Sequence, residues 1–144
     1  MESHLTDIAR VIQLAVAPVF LLTALATLIT ALNVRLGRIV DRRRVLLDRL
    51  PGCAAGAADE ARVELRLLSR RLRLVYFAIL AAVMGALLVC LVVAGAFVGA
   101  LMAADLARLV AVLFILAMFS LIACLGMFLR EVFLAVSEGT HHIV

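Results

Sequence analysis

Four uncharged polar side chains, Gln13, Thr23, Thr27 and Thr30, stand out in an otherwise apolar run. At ~100° per residue they share one helical face, and Arg38, Asp41 and Asp48 continue it if the helix runs straight on. An amide and three hydroxyls in line can border a water-filled path or bond to neighbouring helices. Threonines also satisfy their hydroxyls on carbonyls one turn earlier, whereas the Gln13 amide needs partners outside its own helix. Val16 and Phe20 interrupt the line between Gln13 and Thr23, an apolar constriction of the kind that gates by dewetting.

Other reactive side chains are spaced unfavourably for chemistry. Cys53, Cys90 and Cys124 are too far apart in sequence for a short metal-ligand motif, and no disulfide framework or zinc site is expected. His141 and His142 are neighbours, so a helix would turn them to different sides, and the tail EGTHHIV is expected to fray. No serine or cysteine is placed with a histidine as an activated nucleophile, and no span holds a pair of carboxylates. The expectation is a protein that is not an enzyme and binds no cofactor or metal. Eleven arginines against five acids over residues 35–73 make that segment strongly basic, but it lacks the Gly-rich cradle that wraps phosphates. A solvated, lipid-facing or inter-subunit surface is the expected use, and nucleic acid is not needed to explain it. All fourteen cations are arginine, which composition alone accounts for.

The elements that position these residues follow from hydropathy. With 67 % hydrophobic residues and a mean hydropathy of +1.21, the 144-residue chain is far more apolar than a soluble domain. Residues 11–34 hold no ionisable side chain and at ~1.5 Å each exceed the ~30 Å hydrocarbon core of a bilayer. Arg35, Arg38, Arg42, Arg43 and Arg44 follow at once, placing that end in the cytoplasm and residues 1–10 outside. Pro18 removes one backbone donor and is expected to loosen or bend the helix. Residues 35–74 read as a basic cytoplasmic helical hairpin, broken at PGCAAGAAD, with Asp59 capping its second helix and Glu60 in the first turn. Acids Asp41, Asp48 and Glu64 are available to the arginines around them.

Residues 75–100 form the second span, with Tyr76 at its inner interface and Gly85, Gly95 and Gly99 as helix-packing positions, the last two in GxxxG spacing. An outer turn at 101–108 places Asp105 and Arg108 one helical turn apart, where they can pair. The third span, 109–129, holds only Ser120 and Cys124 as mildly polar members, with Ser120 expected to bond back to its own helix. Arg130 and Glu131 mark its inner boundary, and 130–144 is a cytoplasmic tail. The fold class is an all-α membrane protein with three transmembrane helices in one domain, the first two extending into the hairpin.

IQLAVAPVFLL at 12–22 and NVRLGRIVDRRR at 33–44 carry a resemblance to a family of small bacterial integral membrane proteins, the domain of unknown function 2721. The matching positions are Ala17, Pro18, Val19, Phe20, Asn33, Arg35, Leu36, Arg38, Ile39, Asp41 and Arg42. The resemblance implies a bacterial inner membrane location. It supplies no reaction and no site.

Two functions from different classes stand open. In the first, a homo-oligomer forms an ion or small-solute pore lined by Gln13, Phe20, Thr23, Thr27 and Thr30, with Arg35, Arg38, Asp41 and Arg42 at its inner mouth. In the second, a non-conducting scaffold or regulatory subunit uses its basic hairpin to hold anionic headgroups, at ~1 kcal/mol per arginine, or a cytoplasmic partner. A sensor of surface charge is a weaker third. The spans contain no Asp, Glu, Lys or Arg, which disfavours proton-coupled transport.

Overall fold

The computed structural model describes residues 2–52, 54–102 and 105–140. Cys53, His141 and His142 lie outside the described residues. Three helices account for nearly all of the rest: α1, Glu2–Arg49; α2, Ala55–Met102; and α3, Ala107–Thr140, with a 3₁₀ turn at Leu50–Gly52 between the first two. Each is long and apolar enough to cross a membrane.

The helices run on without a break across apolar and charged stretches alike. Residues 2–10 are already helical, α1 continues through Pro18, and the basic stretch and second span of 55–102 form one uninterrupted helix. Its first bond, from the Ala58 amide to the Ala54 carbonyl at 3.0 Å, puts the helix start four residues before Asp59. Asp59 is therefore not a cap. Its Oδ1 instead accepts from Arg62 Nη1 at 3.0 Å, one turn on. The break at PGCAAGAAD is correspondingly short, because alanines continue a helix as soon as Pro51 and Gly52 are passed.

α3 starts differently from expectation too. Asp105 Oδ1 accepts the Ala107 amide at 3.3 Å rather than pairing with Arg108, satisfying one of the donors that every helix start leaves open. At the other end α3 runs to Thr140, beyond the fraying expected near Glu138.

The chain divides into two compact units. The first joins Met1–Ile29 with Ala81–Ala123 and buries Leu25, Ala82, Val89, Val92 and Ala117. The second joins Thr30–Leu80 with Cys124–Val144 and buries Leu32, Ile39, Leu46, Leu68, Val75, Ala78, Cys124 and Glu131. Within each helix these positions recur by sevens: Leu25, Leu32, Ile39 and Leu46 in α1; Leu68, Val75, Ala82 and Val89 in α2; Ala117, Cys124 and Glu131 in α3. A seven-residue interval nearly closes two helical turns, so one flank of each helix stays inward over many turns. The inward residues are small as often as large, as helices packed in lipid require for close approach.

Candidate functional site

Unit 1 supplies close helix packing but little polar chemistry. Gly85 is buried, and a Cβ built there would stand 3.6 Å from Ser120 Cβ and 3.7 Å from the Ala117 carbonyl, ordinary contact distances. At Gly95 the same atom would come within 3.2 Å of Val110 Cγ2. Gly99 is half-buried. Ser120 does not bond back to its own helix: its Oγ donates to the Ala81 carbonyl on α2 at 2.7 Å. The hydroxyl has a choice of two helices, and with Gly85 holding α2 near, the inter-helix carbonyl is within reach.

The polar line on α1 faces outward. Gln13 is exposed and Phe20 is 72 % exposed. Thr23 donates to the Val19 carbonyl at 3.3 Å and Thr27 to the Thr23 carbonyl at 3.0 Å, the local bonds open to a threonine in a helix. In unit 2, Thr30, Arg38 and Asp41 are likewise exposed. Thr23, Thr27 and Thr30 lie ~200° around the helix from Leu25 and Leu32, so the line occupies the flank opposite the buried one.

The residues expected at an inner mouth do not act alike. Arg42 Nε donates to Glu64 Oε1 on α2 at 2.8 Å, an exposed pair. Arg35 turns inward, its Nη1 donating to Glu131 Oε2 on α3 at 2.7 Å and its guanidinium lying 4.9 Å from the Phe128 ring centroid. From α2, Arg71 Nη2 donates to Glu131 Oε1 at 3.0 Å. Glu131 is only 2 % exposed, so each oxygen of a buried carboxylate is held by a guanidinium from a different helix. Two cations on one anion leave the cluster with a net positive charge.

This carboxylate is the buried charged residue that hydropathy missed. Beside Arg130 it reads as a boundary marker, yet it sits seven residues after Cys124 and fourteen after Ala117, on the inward flank of α3. Arg71 occupies the matching place on α2, three residues after Leu68 and seven before Ala78. The signal was the interval of seven, carried across a polar residue.

Next to this knot lies a second group of arginines. Arg70, Arg73 and Arg130 surround an open cavity of about 280 Å³ whose remaining walls are Leu74 and Phe77. Tyr76 stands exposed nearby, its ring edge-on to Phe77 at 5.8 Å between centroids. Among the described residues no acid pairs with Arg70, Arg73 or Arg130. Also among the described residues, no three His, Cys, Asp or Glu side chains are grouped to hold a metal ion.

No curated protein and no solved structure matches the chain. A family does: the one described as "Protein of unknown function (DUF2721)" matches residues 15–140, a range that takes in Phe20, Arg35, Arg71 and Glu131. Three apolar helices under one family match fit a multi-pass membrane protein, and the chain belongs to the DUF2721 family.

Proposed function

We propose that this protein is a non-conducting scaffold or regulatory subunit of a bacterial inner membrane, whose arginine-rich end lies in the cytoplasm and holds anionic lipid headgroups. It carries out no reaction of its own, and copies associate through the faces that a single chain leaves open. The Glu131 knot carries this reading. A buried carboxylate gripped by Arg35 and Arg71 ties α1, α2 and α3 together where the arginines concentrate, giving a stiff basic platform. Exposed cations such as Arg38, Arg43 and Arg44 widen that platform, and arginines of a cytoplasmic face attract anionic headgroups.

The test is binding to nanodiscs or vesicles of phosphatidylcholine with and without phosphatidylglycerol, read as thermal stabilisation of the reconstituted protein. Stabilisation that grows with phosphatidylglycerol and shrinks with salt is expected. Equal stability in both lipids would remove the lipid-holding role. Orientation is checked by a single cysteine placed at exposed Arg66, which should react with a membrane-impermeant maleimide only in inside-out vesicles. Association is checked by mass in mild detergent and in nanodiscs, where a monomer in both would end that part of the reading.

The outward polar line favours a second reading, the homo-oligomeric pore. Gln13, Phe20, Thr23 and Thr27 are exposed, as residues lining a path between copies must be in the single chain. A ring of copies would turn hydroxyls towards water with Phe20 as the constriction. Ion flux through reconstituted vesicles, raised by Phe20→Ala, supports the pore; no flux from either protein leaves the scaffold.

A further inference from the structure

From the side chains around the open cavity of unit 2, we infer that Arg70, Arg73, Leu74, Phe77 and Arg130 form a discrete binding site for the phosphodiester of one anionic phospholipid. The inference rests on the lipid-holding reading above and narrows it from a charged surface to a particular cleft.

The placement follows from the helices. On α2, Arg71 turns inward to Glu131; Arg70 and Arg73 flank it, three residues apart and ~60° from each other around the helix, and both remain exposed. On α3, Arg130 immediately precedes Glu131. The Arg71–Glu131 bond therefore sets the rotation of α3 against α2 that brings Arg130 to the same cleft as Arg70 and Arg73. Three arginine side chains line that cleft, and no acid lines it or pairs with them among the described residues. Guanidinium forks match the paired oxygens of a phosphate, which makes arginine the fitting residue for such an anion.

The floor distinguishes a lipid from a free anion. Leu74 and Phe77 are apolar, and Phe77 is half exposed. The cleft also sits where charge gives way to hydrocarbon on both helices: no Asp, Glu, Lys or Arg occurs between Arg73 and Asp105, or between Arg108 and Arg130. A ligand that satisfies the whole cleft is anionic at one end and apolar just beyond it. A volume near the lower limit of the ~300 to 1,000 Å³ typical of small-molecule sites suits a headgroup whose chains continue outside.

The experiment is a titration of the full chain in mild detergent with phosphatidylglycerol, phosphatidylcholine and inorganic phosphate, read by native mass spectrometry and by thermal stabilisation. The variants are R70Q/R73Q/R130Q and, with the same loss of charge elsewhere on the basic end, R38Q/R43Q/R44Q. None of these six side chains makes an ion pair among the described residues, and helix content by circular dichroism confirms that both variants fold. One phosphatidylglycerol should bind wild type in preference to phosphatidylcholine. Direct guanidinium–phosphate bonds contribute ~1 kcal/mol or more each, so the cleft variant should bind it on the order of 100-fold more weakly. The control variant loses only surface attraction that salt screens, and its binding should weaken by no more than about tenfold. Equal weakening in both variants would overturn the site while leaving the wider lipid-holding reading intact. Loss of any phosphatidylglycerol preference in wild type would overturn both. Protection by inorganic phosphate equal to that by phosphatidylglycerol would overturn the lipid assignment.

Discussion

Replacing Glu131 with Gln removes the one anion held between two guanidinium groups, and its cost follows from the surroundings. The carboxylate accepts at 2.7 and 3.0 Å and is almost wholly enclosed. The side chain of Arg71 is only 18 % exposed, whereas that of Arg35 is 40 % exposed and rests against Phe128. Without the acid, Arg71 keeps its charge with little water to solvate it and Arg35 as a like-charged neighbour. Breaking such a pair from one side costs ~3 to 5 kcal/mol. Arg35, half in water, contributes little to that figure, so the loss should fall at its lower end, ~3 kcal/mol. Arg71→Met should cost more than Arg35→Met, in the order of their burial. Denaturant-induced unfolding in detergent micelles, followed by far-ultraviolet circular dichroism, measures all three. The charge-free combination R35M/R71M/E131L should be at least as stable as E131Q, because apolar groups of similar size replace a buried ion knot at small cost. An E131Q protein within ~0.5 kcal/mol of wild type, well under the cost of uncovering a buried charge, would refute the reasoning.

Further expectations follow from unit 1. Gly85→Ala should be tolerated, its Cβ meeting Ser120 and Ala117 at contact distance, while Gly85→Leu should cost ~1 to 3 kcal/mol by overpacking, read in the same unfolding assay. Gly95→Ala should be the more costly of the two alanine changes, since Val110 must give way by a few tenths of an ångström. Ser120→Ala should lose ~0.6 kcal/mol, the average for hydrogen bonds between helices in a bilayer. Phe20→Ala should leave stability unchanged within ~0.5 kcal/mol, because the ring is exposed; a larger loss would mean that it packs against another copy.

Much of the fold was legible before any coordinates. Three charge-free runs, bounded by arginines at 35–44, 70–73 and 130, locate the three apolar helices, and PG at 51–52 marks the turn between the first two. The inward flank was not legible from hydropathy, for a physical reason. In lipid the outward residues are as apolar as the inward ones, so a Leu14 or Phe119 gives no contrast with Leu25 or Val89, and the usual amphipathic signal vanishes. What remains is size and interval, and the buried Ala78, Ala82, Ala117 and Cys124 are inconspicuous in a chain so rich in small residues. Local polar bonds were harder still. Ser120 and Asp105 each have two sensible partners, and only the position of α2 or the Ala107 amide selects between them. The threonines of α1 have one obvious partner each, and Thr23 and Thr27 use it.

Sliding α3 along α2 by seven residues would bring inward positions onto others of the same interval, so the repeat by itself resists such a slip only weakly. Glu131 would object most strongly, because it would leave Arg71 and stay buried with nothing to neutralise it. The acid thus works as a keyed tooth, disfavouring a shifted register of the helix segments it joins when they meet in the lipid.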